Sequence, residues 1–404
     1  MARKSGTRIL DGNHAAAEGA RLSRVQVIAA YPITPQTPVT ETLSEFVERG
    51  KLDAQYIAVE SEHSALAVCT SASMVGARTF TATSAHGLAY MHEMLHWAAG
   101  ARLPVVLACV NRAIGAPWNV QNDQQDSISQ RDTGWIQIYA RNNQEILDSI
   151  IQAYKIAESV YVPVMVCYDG YVLSHTEMPV DVPSQEVVDK FLPHYKPHTI
   201  LDPADPKNYN LVTLADPRVN ADGVLCHGYM ELRYLLQEAL QNSRETITKV
   251  GQEFGEFFGR SYADLFWQNR LDDADVVIVA MGSLAMEAIL AADMLREGGT
   301  KVGVLGLRVF RPFPRADVAK ALEESRLVVV FDKNISYGLE GATCSEIKSA
   351  LYGTSTRAII RNFIVGLGGR DVKAREMADA VSKSLSSVKG ADLNREYPEW
   401  ICAI

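Results

Sequence analysis

The sequence lacks clustered cysteines, and this absence limits the sites that it can build alone. Its 404 residues include six cysteines, and no two of them form a CxxC pair. Because metal and iron–sulfur sites need clustered ligands, we expect neither on this chain. Most of the cysteines lie in apolar stretches, which is typical of small buried thiols in a reducing compartment. They are Cys69, Cys109, Cys167, Cys226, Cys344 and Cys402.

Long hydrophobic runs and an excess of positive charge are also missing. No apolar run reaches the length of a membrane span, so we expect no membrane as a partner. The formal net charge of −9 favours neither nucleic acid nor an anionic lipid surface. The basic N-terminal residues have no apolar region behind them and do not indicate a signal peptide. With 47% hydrophobic and 22% charged residues, the sequence is typical of a cytoplasmic globular protein of two or three domains.

Short apolar runs alternate with helical patterns along the first part of the sequence. The runs at 25–30, 79–83 and 104–110 predict buried strands. A stretch rich in alanine and serine at 64–77 predicts a closely packed helix. Buried apolar strands separated by helices favour a parallel, doubly wound sheet. A second unit with four further strand-like runs begins near Asp275, so we predict an α/β fold with two such sheets.

The region between the two units is rich in proline. At 177–224 the regular pattern is lost, and we interpret this segment as an arm that grips a partner or a second copy of the chain, or else as a poorly ordered linker. The arm is favoured because the segment carries large apolar side chains that are unfavourable in water. They are Phe191, Leu192, Tyr195, Ile200 and Leu201.

A long amphipathic helix is predicted at 228–260, with a break near Gly251. We accordingly divide the chain into a first domain at 1–235, a helical linker at 236–270 and a second domain at 271–404. The first domain includes the proline-rich arm.

Polar side chains follow several of the predicted strands, which is where ligands bind in parallel α/β sheets. One of them is Glu62, after the apolar stretch that ends at Val59. A carboxyl group buried at the end of an apolar strand can keep a proton available for acid–base chemistry. Alternatively, Glu62 only stabilises the N-terminus of the helix that follows.

A second strand end carries Thr34, in a turn between Pro32 and Pro35. The two prolines fix the backbone and hold the Thr34 hydroxyl in place, where it can bind a carboxylate or keto oxygen. Alternatively, the hydroxyl only shapes the loop as an ST-turn.

A third strand end carries Arg112. A buried guanidinium is unfavourable unless it meets an anion, and a substrate carboxylate is a good bidentate partner for it. Alternatively, Arg112 forms an internal salt bridge with Asp123 or Asp126.

Three further features are less specific. The segment at 82–91 contains small residues and Gly87, which allow a ring or ligand to approach the backbone closely. His63 and His86 are candidate proton carriers, although histidines more often serve structural roles. The polar segment at 121–135 receives no single assignment, and its alternative is a solvated loop.

Several motifs occur together in an order that points to a known family. They are YPITPQT, VESEHSA, FTATSAHGL, SQRDTGW and the FRPFP turn. Over residues 13–369 the sequence resembles the α-type subunit of the 2-oxoacid:ferredoxin oxidoreductases, which work with thiamine diphosphate. The resemblance implies two doubly wound parallel-sheet domains, namely the pyrimidine-binding domain of thiamine enzymes and a transketolase C-terminal-like domain.

The resemblance also implies roles for individual residues. Glu62 corresponds to the carboxyl group held against N1′ of the aminopyrimidine, which favours the imino form whose 4′ nitrogen takes the thiazolium proton. Thr34 and Arg112 correspond to substrate-binding residues, and with Glu62 they form the expected catalytic set. No residue of this chain is expected to bind a metal. The expected cofactor-binding residues are Glu62, Pro32, Ile33, Thr34, Ser84 and Gly87.

The sequence contains only one half of a thiamine site. Thiamine enzymes hold the diphosphate through Mg²⁺ with a GDG segment followed by asparagine, whereas this sequence has only Asp169-Gly170. The resemblance implies that thiamine diphosphate is shared with a β-type subunit, and that Mg²⁺ and [4Fe-4S] clusters lie on partner subunits. The other implied partners are a γ-type subunit, a ferredoxin-like δ-type subunit, and ferredoxin or an NAD-linked subunit. Coenzyme A is the implied co-substrate.

The implied activity is the oxidative decarboxylation of a 2-oxoacid such as pyruvate to acyl-CoA and CO₂. The region of Trp118 resembles branched-chain or aromatic enzymes as much as pyruvate enzymes, so 2-oxoisovalerate and phenylglyoxylate are alternative substrates. A transketolase-like transferase half and a non-catalytic scaffold are alternatives of other kinds. The pairing of Thr34 with Arg112 favours a carboxylate substrate over a sugar phosphate.

Overall fold

The computed structural model describes residues 5–197, 228–388 and 398–401. Cys226, Cys402, Ile200 and Leu201 lie outside these ranges. In chain order, the first elements are β1 (Ser5–Leu10), α1 (Gly12–Leu22), β2 (Val27–Ala30), α2 (Thr37–Glu48), β3 (Gln55–Ala58), α3 (Glu62–Met74), β4 (Thr79–Thr83), α4 (Ala85–Tyr90), α5 (His92–Gly100), β5 (Val106–Asn111), α6 (Gln125–Ile128), β6 (Ile136–Tyr139), α7 (Asn143–Val160), β7 (Val164–Asp169), β8 (Met178–Pro183) and α8 (Gln185–Phe191). The later elements are α9 (Tyr229–Phe258), β9 (Phe266–Asn269), β10 (Val276–Met281), α10 (Leu284–Glu297), β11 (Val302–Leu307), β12 (Val309–Arg311), α11 (Arg315–Leu322), β13 (Leu327–Asp332), α12 (Ala342–Leu351), β14 (Ile359–Ile364), a 3₁₀ turn at Leu367–Gly369, α13 (Ala374–Val388) and β15 (Glu399–Trp400).

Six strands from the first half of the chain, together with β12, build a seven-stranded sheet with the order β12-β6-β7-β5-β4-β2-β3. Strands β2 to β7 pair in parallel, and β5 and β7 are buried along their whole length because helices cover both faces. The chain leaves β2 toward β3 and then crosses back past β2 to β4. This reversal is the switch point of a doubly wound sheet, as predicted.

The second half builds a six-stranded sheet with the order β15-β14-β13-β10-β11-β9. All neighbouring pairs are parallel except β11 with β9. The predicted second doubly wound sheet is therefore confirmed. The strand-like run at 301–310, one of the four predicted after Asp275, divides at Arg308. Its first part is β11, whereas β12 leaves this sheet and pairs antiparallel with β6 of the other. The amide of Tyr139 donates to the carbonyl of Arg308 at 2.7 Å at this junction.

Helix α9 is continuous through Gly251, so the predicted break is wrong. A Cβ at Gly251 would overlap the carbonyl oxygen of Tyr262. The glycine therefore allows the chain that follows α9 to pack directly on the helix.

The described part of the proline-rich segment, residues 177–197, is more regular than predicted. Strand β8 pairs antiparallel with β1, and α8 follows it. Phe191, Leu192 and Tyr195 are buried within this chain, and Phe191 packs edge-on against Phe254 and Phe258 of α9. These side chains are therefore not available to a partner.

The four cysteines within the described ranges are buried and free, as predicted for small apolar side chains. They are Cys69, Cys109, Cys167 and Cys344. Among the described helices, none is both long and apolar enough to span a bilayer.

Candidate active site

Four segments with polar or small residues meet at one edge of the seven-stranded sheet. They directly follow β2, β3, β4 and β5, which are neighbours in the sheet. In chain order the segments carry Thr34, Glu62, residues 84–87 and Arg112. Because the strand order reverses at β2, this edge forms the crevice in which doubly wound folds bind ligands.

Glu62 is the first residue of α3 and is only 8% exposed. The preceding serine caps the helix, since the hydroxyl of Ser61 accepts a hydrogen bond from the amide of Ser64 at 3.2 Å. Within the described ranges, the Glu62 carboxyl forms no hydrogen bond or ion pair. A largely buried carboxyl without a partner is unfavourable, so this group is free to bind a ligand.

Gly87 lies directly against Glu62. A Cβ at position 87 would lie 2.6 Å from Oε1 of Glu62 and 2.5 Å from Oγ1 of Thr83. Only glycine fits here without a shift of its neighbours, so the wall beside the carboxyl is bare backbone. The nearby hydroxyl of Ser84 is buried and donates to the carbonyl of Val110 at 2.6 Å. Ser84 thus ties this wall to β5.

Both candidate histidines have partners within the chain. The amide of Gly115 donates to Nε2 of His86 at 3.0 Å, which places the proton of the neutral ring on Nδ1. His63 lies on α3, and its Nε2 is 3.4 Å from a carboxylate oxygen of Glu93. These contacts give His86 a role in positioning the loop after β5.

The turn after β2 presents Thr34 at the protein surface. Thr34 and Pro32 are exposed, and Ile33 is half-buried. The Thr34 hydroxyl has no hydrogen-bond partner in the part of the chain that the structure describes, so the predicted alternative of an ST-turn is not formed.

The side chain of Arg112 reaches back to this turn. Its Nη1 donates to the carbonyl of Thr34 at 2.9 Å, and its Nε donates to the carbonyl of Asn119 at 3.3 Å. The guanidinium carbon lies 5.8 Å from the ring centre of Trp118, at cation–π distance. The structure thus brings the two predicted substrate-binding residues into contact.

No carboxylate within the described ranges neutralises the Arg112 guanidinium. Asp126 accepts from the backbone amide of Arg112, while Asp123 accepts from the amides of Gln125 and Gly368. The alternative of an internal salt bridge is therefore wrong. Because Arg112 is only 3% exposed, its charge is largely dehydrated, which favours binding of an anion.

The polar segment at 121–135 is not a solvated loop, contrary to the predicted alternative. The amide of Gln124 donates to the carbonyl of Lys333 at 2.8 Å, and the side chain of Gln125 accepts from the amide of Ile335 at 2.9 Å. The segment therefore joins the site edge of the first sheet to loops of the second.

Asp169 was noted in the sequence only as a fragment of a missing metal motif. It is 1% exposed, and its carboxylate pairs with Nζ of Lys333 at 3.1 Å. It also accepts from the amide of Ser283 at 2.9 Å and from the Ser283 hydroxyl. Asp169 is thus a link between β7 and the second sheet.

Asn13 is another residue that sequence reasoning missed. Its side-chain amide donates to the carbonyl of Pro35 at 2.8 Å and accepts from the hydroxyl of Tyr168 at 3.0 Å. This buried link supports the turn that carries Thr34. The only signal in the sequence is an asparagine two residues before a run of three alanines, which does not by itself indicate a buried polar contact.

Comparisons with known proteins agree with this geometry. The family described as pyruvate flavodoxin/ferredoxin oxidoreductase, thiamine diphosphate-binding, matches residues 18–241. Core domain II of pyruvate:ferredoxin oxidoreductase matches residues 274–377. The chain is 48% identical to the ketoisovalerate oxidoreductase subunit VorA of Pyrococcus horikoshii over 97% of both chains. It is 49% identical to the pyruvate synthase subunit PorA of Methanocaldococcus jannaschii over 93% of this chain and 94% of that one.

This chain belongs to the 2-oxoacid:ferredoxin oxidoreductase family. The resemblance inferred from the motifs is therefore confirmed. A solved 2-oxoglutarate:ferredoxin oxidoreductase from Magnetococcus marinus matches with a TM-score of 0.73 and 19% identity, over 94% of this chain and 65% of that one. At this identity the likeness concerns the fold alone. In this oxidoreductase-family chain, the first matched region contains all four site segments, and the second contains Ser283 and Lys333.

Proposed function

We propose that this chain is the α subunit of a thiamine-diphosphate-dependent 2-oxoacid oxidoreductase that acylates coenzyme A. The complete enzyme converts a 2-oxoacid and CoA to acyl-CoA and CO₂, and the released electron pair passes to ferredoxin. The observation that carries this proposal is the contact between Arg112 and Thr34 at the same sheet edge as the unpartnered carboxyl of Glu62. An anchor for a carboxylate and an acid for the cofactor ring are the two elements that this reaction needs.

The described residues fit the pyrimidine half of thiamine diphosphate. Glu62 offers a buried carboxyl, and Gly87 forms a wall of bare backbone beside it. Pro32, Ile33 and Ser84 belong to the same crevice edge. When bound, the cofactor supplies the nucleophilic carbon that adds to the keto group and takes up the electrons left behind by CO₂. Glu62 holds a proton at N1′ of the aminopyrimidine, which makes the 4′ nitrogen basic.

Arg112 and Thr34 hold the substrate. The guanidinium binds the carboxylate of the 2-oxoacid with its remaining N–H groups, and the free Thr34 hydroxyl donates to a keto or carboxylate oxygen. Trp118 lies beside the guanidinium and is 78% exposed, so it offers an apolar surface to the substrate side chain. These features support a 2-oxoacid with an apolar side chain, such as pyruvate.

The branched-chain 2-oxoisovalerate and the aromatic phenylglyoxylate are the alternative substrates. The similarity to relatives does not decide between 2-oxoisovalerate and pyruvate. The chain is 48% identical to a ketoisovalerate oxidoreductase subunit and 49% identical to a pyruvate synthase subunit.

The other half of the site belongs to partner subunits in this proposal. A β-type subunit supplies the Mg²⁺–diphosphate segment and [4Fe-4S] clusters, and a γ-type and a ferredoxin-like δ-type subunit complete the complex. Ferredoxin, or an NAD-linked subunit, takes the electrons. Exposed large apolar side chains on α4, α5 and β3 support such contacts, since Tyr90 is 59% exposed, Trp97 47% and Ile57 38%.

A turnover screen of the complex, purified with its co-expressed subunits, tests this proposal. Pyruvate, 2-oxoisovalerate, 2-oxoglutarate and phenylglyoxylate are each supplied with CoA and oxidised ferredoxin, and acyl-CoA is measured. We expect turnover of an aliphatic 2-oxoacid, and we expect Glu62→Gln to lower it by about 10²–10⁴-fold. The matched control is Glu60→Gln, because Glu60 is an exposed carboxylate on the same segment.

Two outcomes would contradict the proposal. Full activity of the Glu62→Gln complex would leave this chain a non-catalytic scaffold. A complex with complete cofactors that forms acyl-CoA from no 2-oxoacid would exclude the activity.

A further inference from the structure

The carboxylate of Asp126 connects the cofactor side of the site with the substrate side. Its Oδ2 accepts hydrogen bonds from the amide of Ala85 and from the amide of Arg112, both at 2.9 Å. Ala85 belongs to the segment after β4 that also contains Gly87, whereas Arg112 follows β5. One oxygen atom therefore fixes two neighbouring segments of the site edge.

The other oxygen of Asp126, Oδ1, also accepts two hydrogen bonds. Oδ1 accepts from the side-chain amide of Asn111 at 2.7 Å and from the amide of Ser127 at 2.8 Å. The donors are these four uncharged N–H groups and the thiol of Cys109, whose Sγ lies 3.8 Å from Oδ2, and no cation in the described ranges forms an ion pair with Asp126. The side chain is completely buried. Burial of a carboxylate without a counter-ion is unfavourable, so the contribution of Asp126 to stability does not by itself explain why a carboxylate stands at this position.

The backbone of Ala85 gives a reason why this anchor is needed. Ala85 has a φ of 44°, in the left-handed region that residues with a Cβ rarely adopt. The hydrogen bond to Asp126 holds this strained residue in place. Gly87 follows two residues later and rests against Glu62, so a shift at Ala85 would move the wall beside the Glu62 carboxyl.

We propose that Asp126 is a positioning residue that sets the cofactor wall beside Glu62 relative to the Arg112 anchor. This inference rests on the proposed roles of Glu62 and Arg112. Asp126 acts through the two backbone amides, without contacting either ligand. Its loss is therefore expected to weaken cofactor binding and substrate binding together.

Asp126→Asn in the complete complex tests the inference. Asparagine has nearly the same shape, but its amide group places a donor against two of the four N–H groups. We expect at least a tenfold rise in KM for the 2-oxoacid and in the thiamine diphosphate concentration that gives half-maximal activity. The matched control is Ser127→Ala, which removes a neighbouring buried hydroxyl but leaves in place the hydrogen bonds from the amides of Ala85 and Arg112 to Oδ2. It should lower thermal stability without raising either value.

The outcomes separate this inference from the proposed function. Unchanged values in Asp126→Asn, while Glu62→Gln and Arg112→Ala remain impaired, would overturn the inference alone. Equal effects of Asp126→Asn and Ser127→Ala would also overturn it, because they would indicate general loosening of the core. If Asp126→Asn does not assemble, Asp126→Glu keeps all acceptors and the charge but displaces them by one methylene. The same paired rise is expected, and wild-type values would again overturn the inference.

Discussion

Gly87 and Glu62 approach each other so closely that position 87 has no room for a side chain. A Cβ there would lie 2.6 Å from Oε1 of Glu62. The contact joins α4 to the start of α3, so the position of the carboxyl depends on the backbone that follows β4.

Gly87→Ala is expected to preserve the fold and impair catalysis. The new methyl group displaces the flexible end of Glu62, which moves the carboxyl away from its working position. A misplacement of about 1 Å can lower the rate by roughly 10²-fold. Steady-state kinetics and thermal unfolding of the complex measure both effects. Gly6→Ala is the control, because nothing lies within 4 Å of a Cβ at Gly6. Wild-type kinetics in Gly87→Ala would show that the contact has no catalytic role.

Arg112→Ala is expected to raise KM for the 2-oxoacid by about 10–100-fold and to leave thiamine diphosphate binding intact. The loss corresponds to about 1.5–3 kcal/mol for a charge-assisted hydrogen bond. The backbone amide that bonds Asp126 remains in the variant. Arg112→Lys keeps the charge but loses the planar guanidinium group, so its KM should lie between those of the wild type and Arg112→Ala. An unchanged KM in a destabilised protein would instead assign Arg112 a purely structural role.

Lys333→Met is expected to lower the free energy of unfolding by about 3–5 kcal/mol, because it leaves the buried carboxylate of Asp169 without a cation. Equilibrium unfolding in urea measures this change. Lys190→Met is the matched control, since Lys190 pairs with Glu186 on the surface and the two side chains are 63% and 66% exposed. An exposed pair contributes about 0–1 kcal/mol. Equal losses in the two variants would mean that the Asp169 pair does not hold the sheets together.

The titration of Asp126 is expected to make stability depend on pH. Burial raises the pKa of Asp126 to about 7, from 3.8. Below about pH 7 the Asp126 carboxyl of the folded state therefore holds a proton, whereas the same group in the unfolded state binds one only below about pH 4. Relative to Asp126→Asn, the free energy of unfolding should rise as the pH falls from 7 to 4, by up to ~4 kcal/mol.

Urea unfolding of wild type and Asp126→Asn between pH 4.5 and 8 measures this difference. The ionisable groups around Asp126 are Cys109 on β5, Tyr139 on β6, the nearby Asp123 and the guanidinium of Arg112. Burial also raises the pKa of Asp123 and holds that of Cys109 and Tyr139 well above their usual values. A difference that does not change with pH would mean that Asp126 keeps one charge state throughout.

The isolated chain, supplied with thiamine diphosphate and Mg²⁺, is expected to be colourless and inactive. It has neither a GDG segment nor clustered cysteines with which to hold the diphosphate or carry electrons. Absorption spectroscopy and a decarboxylation assay check this expectation, with the complete complex as the positive control. Decarboxylation at the full rate by the isolated chain would refute the idea of a half-site.

The site edge was predictable because the relevant signals are local. Thr34, Glu62 and Arg112 each follow an apolar strand by a few residues, and parallel strands bring such ends together. The supporting contacts were not predictable in this way. Asp126 binds amides at positions 85 and 112, and Asp169 binds groups 114 and 164 residues away. Nothing in the local pattern encodes which distant segment faces a buried carboxylate.

Gly251 and Phe191 present a different difficulty. Each gives a distinct local signal, but that signal is compatible with more than one structure. Gly251 was interpreted as a helix break, although its role is set by the carbonyl of Tyr262 against the helix. The proline-rich pattern favours a partner contact for Phe191 over a poorly ordered linker, whereas Phe254 and Phe258 cover this side chain within the chain. In both cases the deciding neighbour lies far along the sequence.

Strand β12 has a consequence for how the protein is made. Its residues 309–311 close the outer side of β6 with backbone hydrogen bonds. Until position 311 has left the ribosome, the nascent first sheet presents an unpaired edge, which is a template for pairing with another chain. Fragments that end before Val309 should therefore self-associate by strand addition, and early contact with a chaperone would protect the growing polypeptide.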